Sequence, residues 1–439
     1  MANVNDLLEG HVALDIQCLD RIYLNGYVPT LQVSGQVVSF MTRHLGYRIP
    51  SPAILEKIGT SFRRSVNSFS EINHVPLIRF GKEDRKIDVM RRYLAAQAKT
   101  GRSGVAAIGV AQEYQNVFAS TQRQGTNGIP CFGFHKADRR VTCFYFYLWD
   151  TDFGPAFVKV CAYFPYPAKV WINGHEWAKR QAVKAGIAFT ELSNGFAACE
   201  DPQALQEICD RLGPGTIEVF FQRWLAVLPL PLTDHDADAG YWWELSMRQV
   251  EISRTLVFDA PRRARGFFEA LVADNLDIGR PDSVELIFTG HAPHSRPGRP
   301  PVPGLCKTKI VTRDTDVTVN AFYKHSRVKQ YLKDGRALRI ETVVNSPDDL
   351  LATAVWNICP SCRPKPVTST AGCSILNVSG RAVSLRAQPL SGSRSPRLPR
   401  TGRGLRPCGS ATPGSWPCSA PYVSALPPSD SPIGACVPG

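Results

Sequence analysis

The sequence changes character near Leu350, and that break limits what the chain can fold into. Residues 351–439 hold 14 of the 34 prolines, 6 of the 13 cysteines, nine Lys or Arg and a single acid, Asp430. Apolar periodicity is missing from this stretch, which is expected to be a disordered C-terminal tail. Its lack of acids and its Arg/Pro/Ser/Cys excess point further, to a frame-shifted translation. Codons allowed for Val355–Pro366, read in a neighbouring frame, can spell RLEHLPELQAKAR, a string with helical leucine spacing and mixed charge. Fold reasoning therefore rests on residues 1–350.

Without the tail, 42 basic face 37 acidic residues, so the formal net charge falls from +13 to +5. That balance does not by itself imply a nucleic-acid partner. A length of about 350 residues suggests two or three domains, each able to bury a core. No apolar run approaches the roughly 20 residues that cross a bilayer, and Met1–Asp6 lacks the features of a leader. A cytoplasmic protein without a membrane partner is expected. Cys18, Cys131, Cys143, Cys161, Cys199, Cys209 and Cys306 are scattered and read as reduced, mostly buried thiols. The CxxC of Cys359 and Cys362 lies in the tail and carries no weight.

Periodicity and capping residues give a mixed pattern. Asp6 with Glu9, ahead of Leu7, Leu8, Val12, Ile16 and Leu19, predicts an N-terminal helix. Ser51 and Pro52 predict the N-cap and first residue of a second helix. Strands are expected at 75–80, 104–111, 141–149, 156–164, 168–172, 284–289, 307–312, 316–323 and 338–344. Helices are expected near 84–98, 175–185, 201–212, 241–257 and 261–276. The class is α+β, with a mainly antiparallel central sheet. Residues 1–140 read as an N-terminal α/β region and 141–290 as a central hairpin sheet with a helical segment. Residues 306–350 read as a basic, β-rich, incomplete domain, followed by the tail.

Two sets of residues could carry chemistry. Asp150 and Asp152 form a DxD at a hairpin tip. Carboxylates two apart in extended chain share a face and can chelate a hard cation such as Mg²⁺. With Glu176 or Glu341 as a third carboxylate they would suit metal-assisted phosphoryl chemistry, although Asp also flanks hairpins routinely. His175-Glu176 begins like HExxH, but Lys179 stands where the second His is needed. His291 and His294 sit in a Pro-rich loop without a third ligand nearby. The second set is Tyr323, Lys324, Arg327, Lys329, Tyr331, Lys333, Arg336 and Arg339. Here cations for phosphates alternate with rings that could stack on bases. Arg262, Arg263 and Arg265 form a smaller basic cluster. Either basic set could equally be a solvated charged surface.

Phe164-Pro165-Tyr166-Pro167, Asn173-Gly174-His175-Glu176-Trp177-Ala178-Lys179, Tyr323-Lys324-His325-Ser326-Arg327 and Arg336–Thr342 resemble a family of uncharacterised bacterial proteins. The resemblance covers residue 1 to about Leu350. Longer members continue with a segment like RLEHLPELQAKAR and end in a domain that looks like a winged helix. The family transfers no activity, but it favours a nucleic-acid partner, DNA over RNA. The expectation is a nucleic-acid-binding protein, from a mobile-element or replication-related system. A metal-dependent phosphodiester-cleaving or transferring enzyme and a non-catalytic protein scaffold are the alternatives.

Overall fold

The structure is a computed structural model that describes residues 10–125, 128–278, 306–313, 316–346 and 349. Its strands are β1 (Val12–Tyr27), β2 (Leu77–Arg79), β3 (Gly104–Gln124), β4 (Pro130–Asp150), β5 (Gly154–Cys161), β6 (Ala168–Asn173), β7 (Phe189–Glu191), β8 (Phe196–Cys199), β9 (Glu244–Phe258), β10 (Cys306–Arg313), β11 (Asp316–Tyr323), β12 (Ser326–Lys333) and β13 (Ala337–Val344). Its helices are α1 (Ser34–Ser39), α2 (Pro52–Ile72), α3 (Lys86–Lys99), α4 (Gly174–Lys184), α5 (Pro202–Arg211), α6 (Pro214–Leu225), α7 (Asp234–Asp238) and α8 (Pro261–Ile278). The expected strand at 284–289, His291, His294 and the tail lie outside the described residues.

Eleven of these strands form one sheet, in the order β10-β11-β12-β13-β9-β1-β6-β5-β4-β3-β2. Neighbours run antiparallel except β2 and β3, which are parallel. Strands from all three segments drawn in the sequence join this one sheet, and the fold is α+β.

Two elements differ from expectation. The N-terminal pattern predicts a helix, yet Val12–Tyr27 is a strand. Leu14, Ile16 and Cys18 fit a period of two as well as a helical stripe, and β1 gains ladders on both edges, from β6 and β9. Residues 241–257 read as a helix but form most of β9. There Val250 and Ile252 alternate with Glu251, Ser253 and Thr255, and the strand is held between β1 and β13. In both places pairing on two edges overrides a weak local preference. The second helix begins as expected: Ser51 caps α2, its hydroxyl accepting from the Ala53 N–H at 3.2 Å, with Pro52 at the first position.

The main core sits between the sheet and helices α2, α5 and α6, through Phe62, Val66, Leu205, Ile208, Phe220 and Phe221. A second cluster packs Phe267 and Phe268 of α8 on Leu256, Phe258, Leu338 and Ile340. Each such side chain contributes about 1.5–3 kcal/mol on burial. A third places Met90 and Leu94 of α3 over Ala107, Ala111, Tyr145 and Tyr147. Gly109, between those two alanines, leaves room for the Phe80 ring, which a Cβ would meet at 2.3 Å. Gly174 serves a similar purpose, since a Cβ there would lie 1.9 Å from the Leu19 carbonyl oxygen. Asn173 caps α4 by accepting from the N–H groups of His175 and Glu176. This close approach brings His175 to within 4.0 Å of Asp20 on β1.

Candidate nucleic-acid interface

Each of the four expected metal-binding carboxylates ends among its own cations or donors. Asp150, fully buried at the end of β4, accepts from the N–H groups of Asp152 (2.9 Å) and Phe153 (3.1 Å) and from Trp224 Nε1 (2.8 Å). It also pairs with Arg223. It thereby closes the β4–β5 turn and fastens it to α6. Asp152 pairs with Lys184 and Arg223, and Lys184 does most to hold its pKa below the usual carboxylate value. Glu176 pairs with Lys179 at 3.3 Å and Arg180 at 3.4 Å. Glu341 accepts from Tyr331 Oη (2.7 Å), Lys329 Nζ (3.0 Å) and Arg339 Nε (3.0 Å). Burial pushes Glu341 upward, but those three partners outweigh it and leave it below the usual range. Among the described residues no group of three or more His, Cys, Asp or Glu side chains could hold a metal ion.

The basic strand is also largely spent on internal pairing. Arg339, 1 % exposed, pairs with Asp20 at 2.7 Å and Glu341 at 3.0 Å, and donates to the Asn194 carbonyl at 2.6 Å. Lys333 donates to the same carbonyl at 2.9 Å; burial, then the nearby Arg339, pushes its pKa down to about 8. Lys329 and the Tyr331 hydroxyl are engaged by Glu341. Tyr323 is buried in the α8 cluster. Lys324, exposed at the β11–β12 turn, lies 5.0 Å from the Tyr323 ring centre. Arg327 is half-buried and Arg336 exposed. His175 donates to or accepts from Ser253 Oγ at 3.0 Å and lies 3.1 Å from Arg339. Burial first, then Arg339, drives its pKa well below the usual value, so it is neutral there.

A different region gathers aromatic rings, of which Tyr145 and Tyr147 are buried and Tyr23, Phe157, Trp171 and Trp149 are half-buried. Tyr147 of β4 lies opposite Phe157 of β5, Phe157 opposite Trp171 of β6, and Trp171 opposite Tyr23 of β1. Directly paired residues share a face, so four rings make one row across four strands. The Phe157 and Trp171 rings stack, with centres 6.0 Å apart and planes 10° from parallel. Beside this row runs a second: Tyr145 opposite Lys159, Lys159 opposite Lys169, and Lys169 opposite Asn25. Trp149 and Pro155 extend the surface on the other side. Helix α3 walls it with Ile87, Arg91, Leu94 and Ala95, bounding a half-open cavity of about 620 Å³.

The charge here is one-sided. Glu113 of β3 accepts from Tyr145 Oη at 2.6 Å and pairs with Lys86 and Lys159. Burial would raise its pKa, but Lys159, Lys86 and Tyr145 bring it down to about 2. Lys86 Nζ lies 4.4 Å from the Tyr145 ring centre; Lys169 and Arg248 lie 5.6 and 5.5 Å from that of Tyr23. Glu113 thus holds Lys86 and Lys159, while Lys169 and Arg248 lie over the Tyr23 ring. The crowding registers on Lys169, pushed down to about 8 by burial first and then by Lys159 and Arg248.

Register links this region to the basic strand. Arg21, two residues before Tyr23, lies opposite Glu251; Glu251 lies opposite Val343, and Val343 opposite Arg327. The Arg21–Glu251 ion pair, at 3.8 Å, fits that shared face. One signal for the ring patch stood in the sequence: Tyr145, Tyr147 and Trp149 recur at a period of two. Trp171 and Tyr23 join them only through strand pairing. Comparison of the chain with protein-family models, curated proteins and solved structures returns no match.

Proposed function

We propose that the protein binds single-stranded nucleic acid on this sheet face, with bases on the ring row and phosphates on Lys169, Arg248 and Lys86 beside it. The observation that carries the reading is the in-register row Tyr147–Phe157–Trp171–Tyr23, with Lys169 and Arg248 over the ring at its end. Every base offers a π-face, and stacking on an aromatic side chain is worth about 1–3 kcal/mol per base. Lysines alongside supply charge without sequence preference. The resemblance to chains ending in a winged-helix-like domain favours DNA over RNA. Lys324, Arg327 and Arg336 on and beside β12 would extend the contact, while Arg339, Lys329 and Tyr331 hold the fold.

The test is fluorescence anisotropy of a labelled single strand between 50 and 200 mM salt. Engagement of Lys86, Lys169 and Arg248 gives a log–log salt slope of about −2. Trp171→Ala should weaken binding by roughly tenfold. Binding that ignores salt, or none at low salt, would remove the proposal.

A further inference from the structure

The ring row does not lie on an open sheet. Helix α3 stands over part of it, so that Tyr147, Phe157 and Trp171 form a floor and Ile87, Leu94 and Ala95 a wall. The cavity between them, about 620 Å³, falls in the range of about 300–1,000 Å³ that encloses a small organic molecule. Its lining is apolar except for Lys86, Arg91, the hydroxyls of Tyr23, Tyr145 and Tyr147 and the indole N–H groups of Trp149 and Trp171. Lys86 is half-buried and pairs with Glu113; Arg91 is exposed and pairs with Asp88 at 2.9 Å. A flat aromatic ligand with an anionic substituent matches this arrangement on both counts. The rings take the plane, and Lys86 with the exposed Arg91, whose solvent-facing pair with Asp88 exchanges at little cost, takes the anion.

We propose that the cavity beneath α3 is a subsite for one unstacked nucleotide, its base between the floor and the α3 wall and its phosphate on Lys86 and Arg91. The inference rests on the interface reading and adds to it. Paired bases in a duplex present no free face and cannot enter such a space, so the subsite selects splayed-out, single-stranded nucleotides. It also requires that a free nucleotide bind by itself, without a neighbouring chain.

The test is calorimetric titration of the full chain with nucleoside 5′-monophosphates, alongside the matching nucleosides and inorganic phosphate. The monophosphates should bind at least tenfold more tightly than either half-ligand. Ala95 and Ile87 line the cavity yet are exposed, so Ala95→Trp or Ile87→Trp can fill it with the fold intact, as checked by thermal melting. Both should abolish monophosphate binding. If single strands bind and monophosphates do not, the subsite is overturned and the interface stands. Monophosphate binding that survives both substitutions also overturns it, by placing the nucleotide elsewhere. If neither strands nor monophosphates bind, both proposals fall together.

Discussion

Two regions of the sheet carry clustered cations and reach opposite outcomes. Around β12 and β13, Arg339, Lys329 and Lys333 meet Asp20, Glu341 and the Asn194 carbonyl. Around β1, β4, β5 and β6, Glu113 takes Lys86 and Lys159, while Lys169 and Arg248 stay over the Tyr23 ring, beside the half-buried Phe157 and Trp171. A basic run in sequence therefore says little about charge on the surface. What decides is whether the fold delivers anions to it. The run that looked richest in contacts is mostly a buried ion-pair knot, and the other cations come from separate stretches: Lys169 from an expected strand, Lys86 and Arg248 from expected helices.

The largest effect should come from breaking the knot. Arg339→Met leaves Asp20 and Glu341 buried without their guanidinium, which costs about 3–5 kcal/mol. Urea unfolding should record that loss, with single-strand affinity of the folded fraction unchanged. Loss of affinity without loss of stability would reverse the comparison. Asp150→Ala comes next, at about 2–4 kcal/mol, because it strands the Trp224 indole N–H and two backbone N–H groups and leaves Arg223 only Asp152. Trp171→Ala should cost about 1–3 kcal/mol of binding while the melting temperature moves only slightly.

The smallest effects sharpen the electrostatic side. Lys169→Ala should reduce the salt slope by roughly one contact. Lys169 titrates near 8, carrying its charge below that value and losing it above. Strand affinity should therefore fall between pH 7 and 9 in the wild type, and less so in Lys169→Ala. Its contribution to stability runs the other way. The folded side chain gives up its proton near 8, whereas the unfolded one holds it to about 10.5. The penalty for burying that charge is full below pH 8 and is relieved as pH rises towards 10.5. A pH series of anisotropy and of urea midpoints separates the two.

Local chemistry made part of the fold legible. Ser51-Pro52 marks the start of α2, Asp201-Pro202 that of α5, and the β4–β5 hairpin follows from ring and β-branched runs around Asp150–Pro155. Val12–Tyr27 and Glu244–Phe258 carry helical patterns in sequence, because their strand character comes from neighbours on both edges. The site was harder for the same reason. Arg339 is visible as a cation, but its partner Asp20 lies 319 residues away in the chain. Trp171 and Tyr23 become neighbours only when β6 pairs with β1. Asp150 and Asp152 carried the right turn signal; their partners Arg223 and Trp224 come from a helix more than 70 residues on.

Gly109 shows how narrow the tolerances around the cavity are. Because that position lacks a side chain, Phe80 can lie against β3 and Met90 can settle next to it. One methyl group there would have to displace an aromatic ring and, with it, the seat of the helix that walls the cavity. The aperture is thus calibrated by an atom that is absent. Gly109→Ala would act as a distant adjustment of its width, changing affinity through a residue that no ligand need touch.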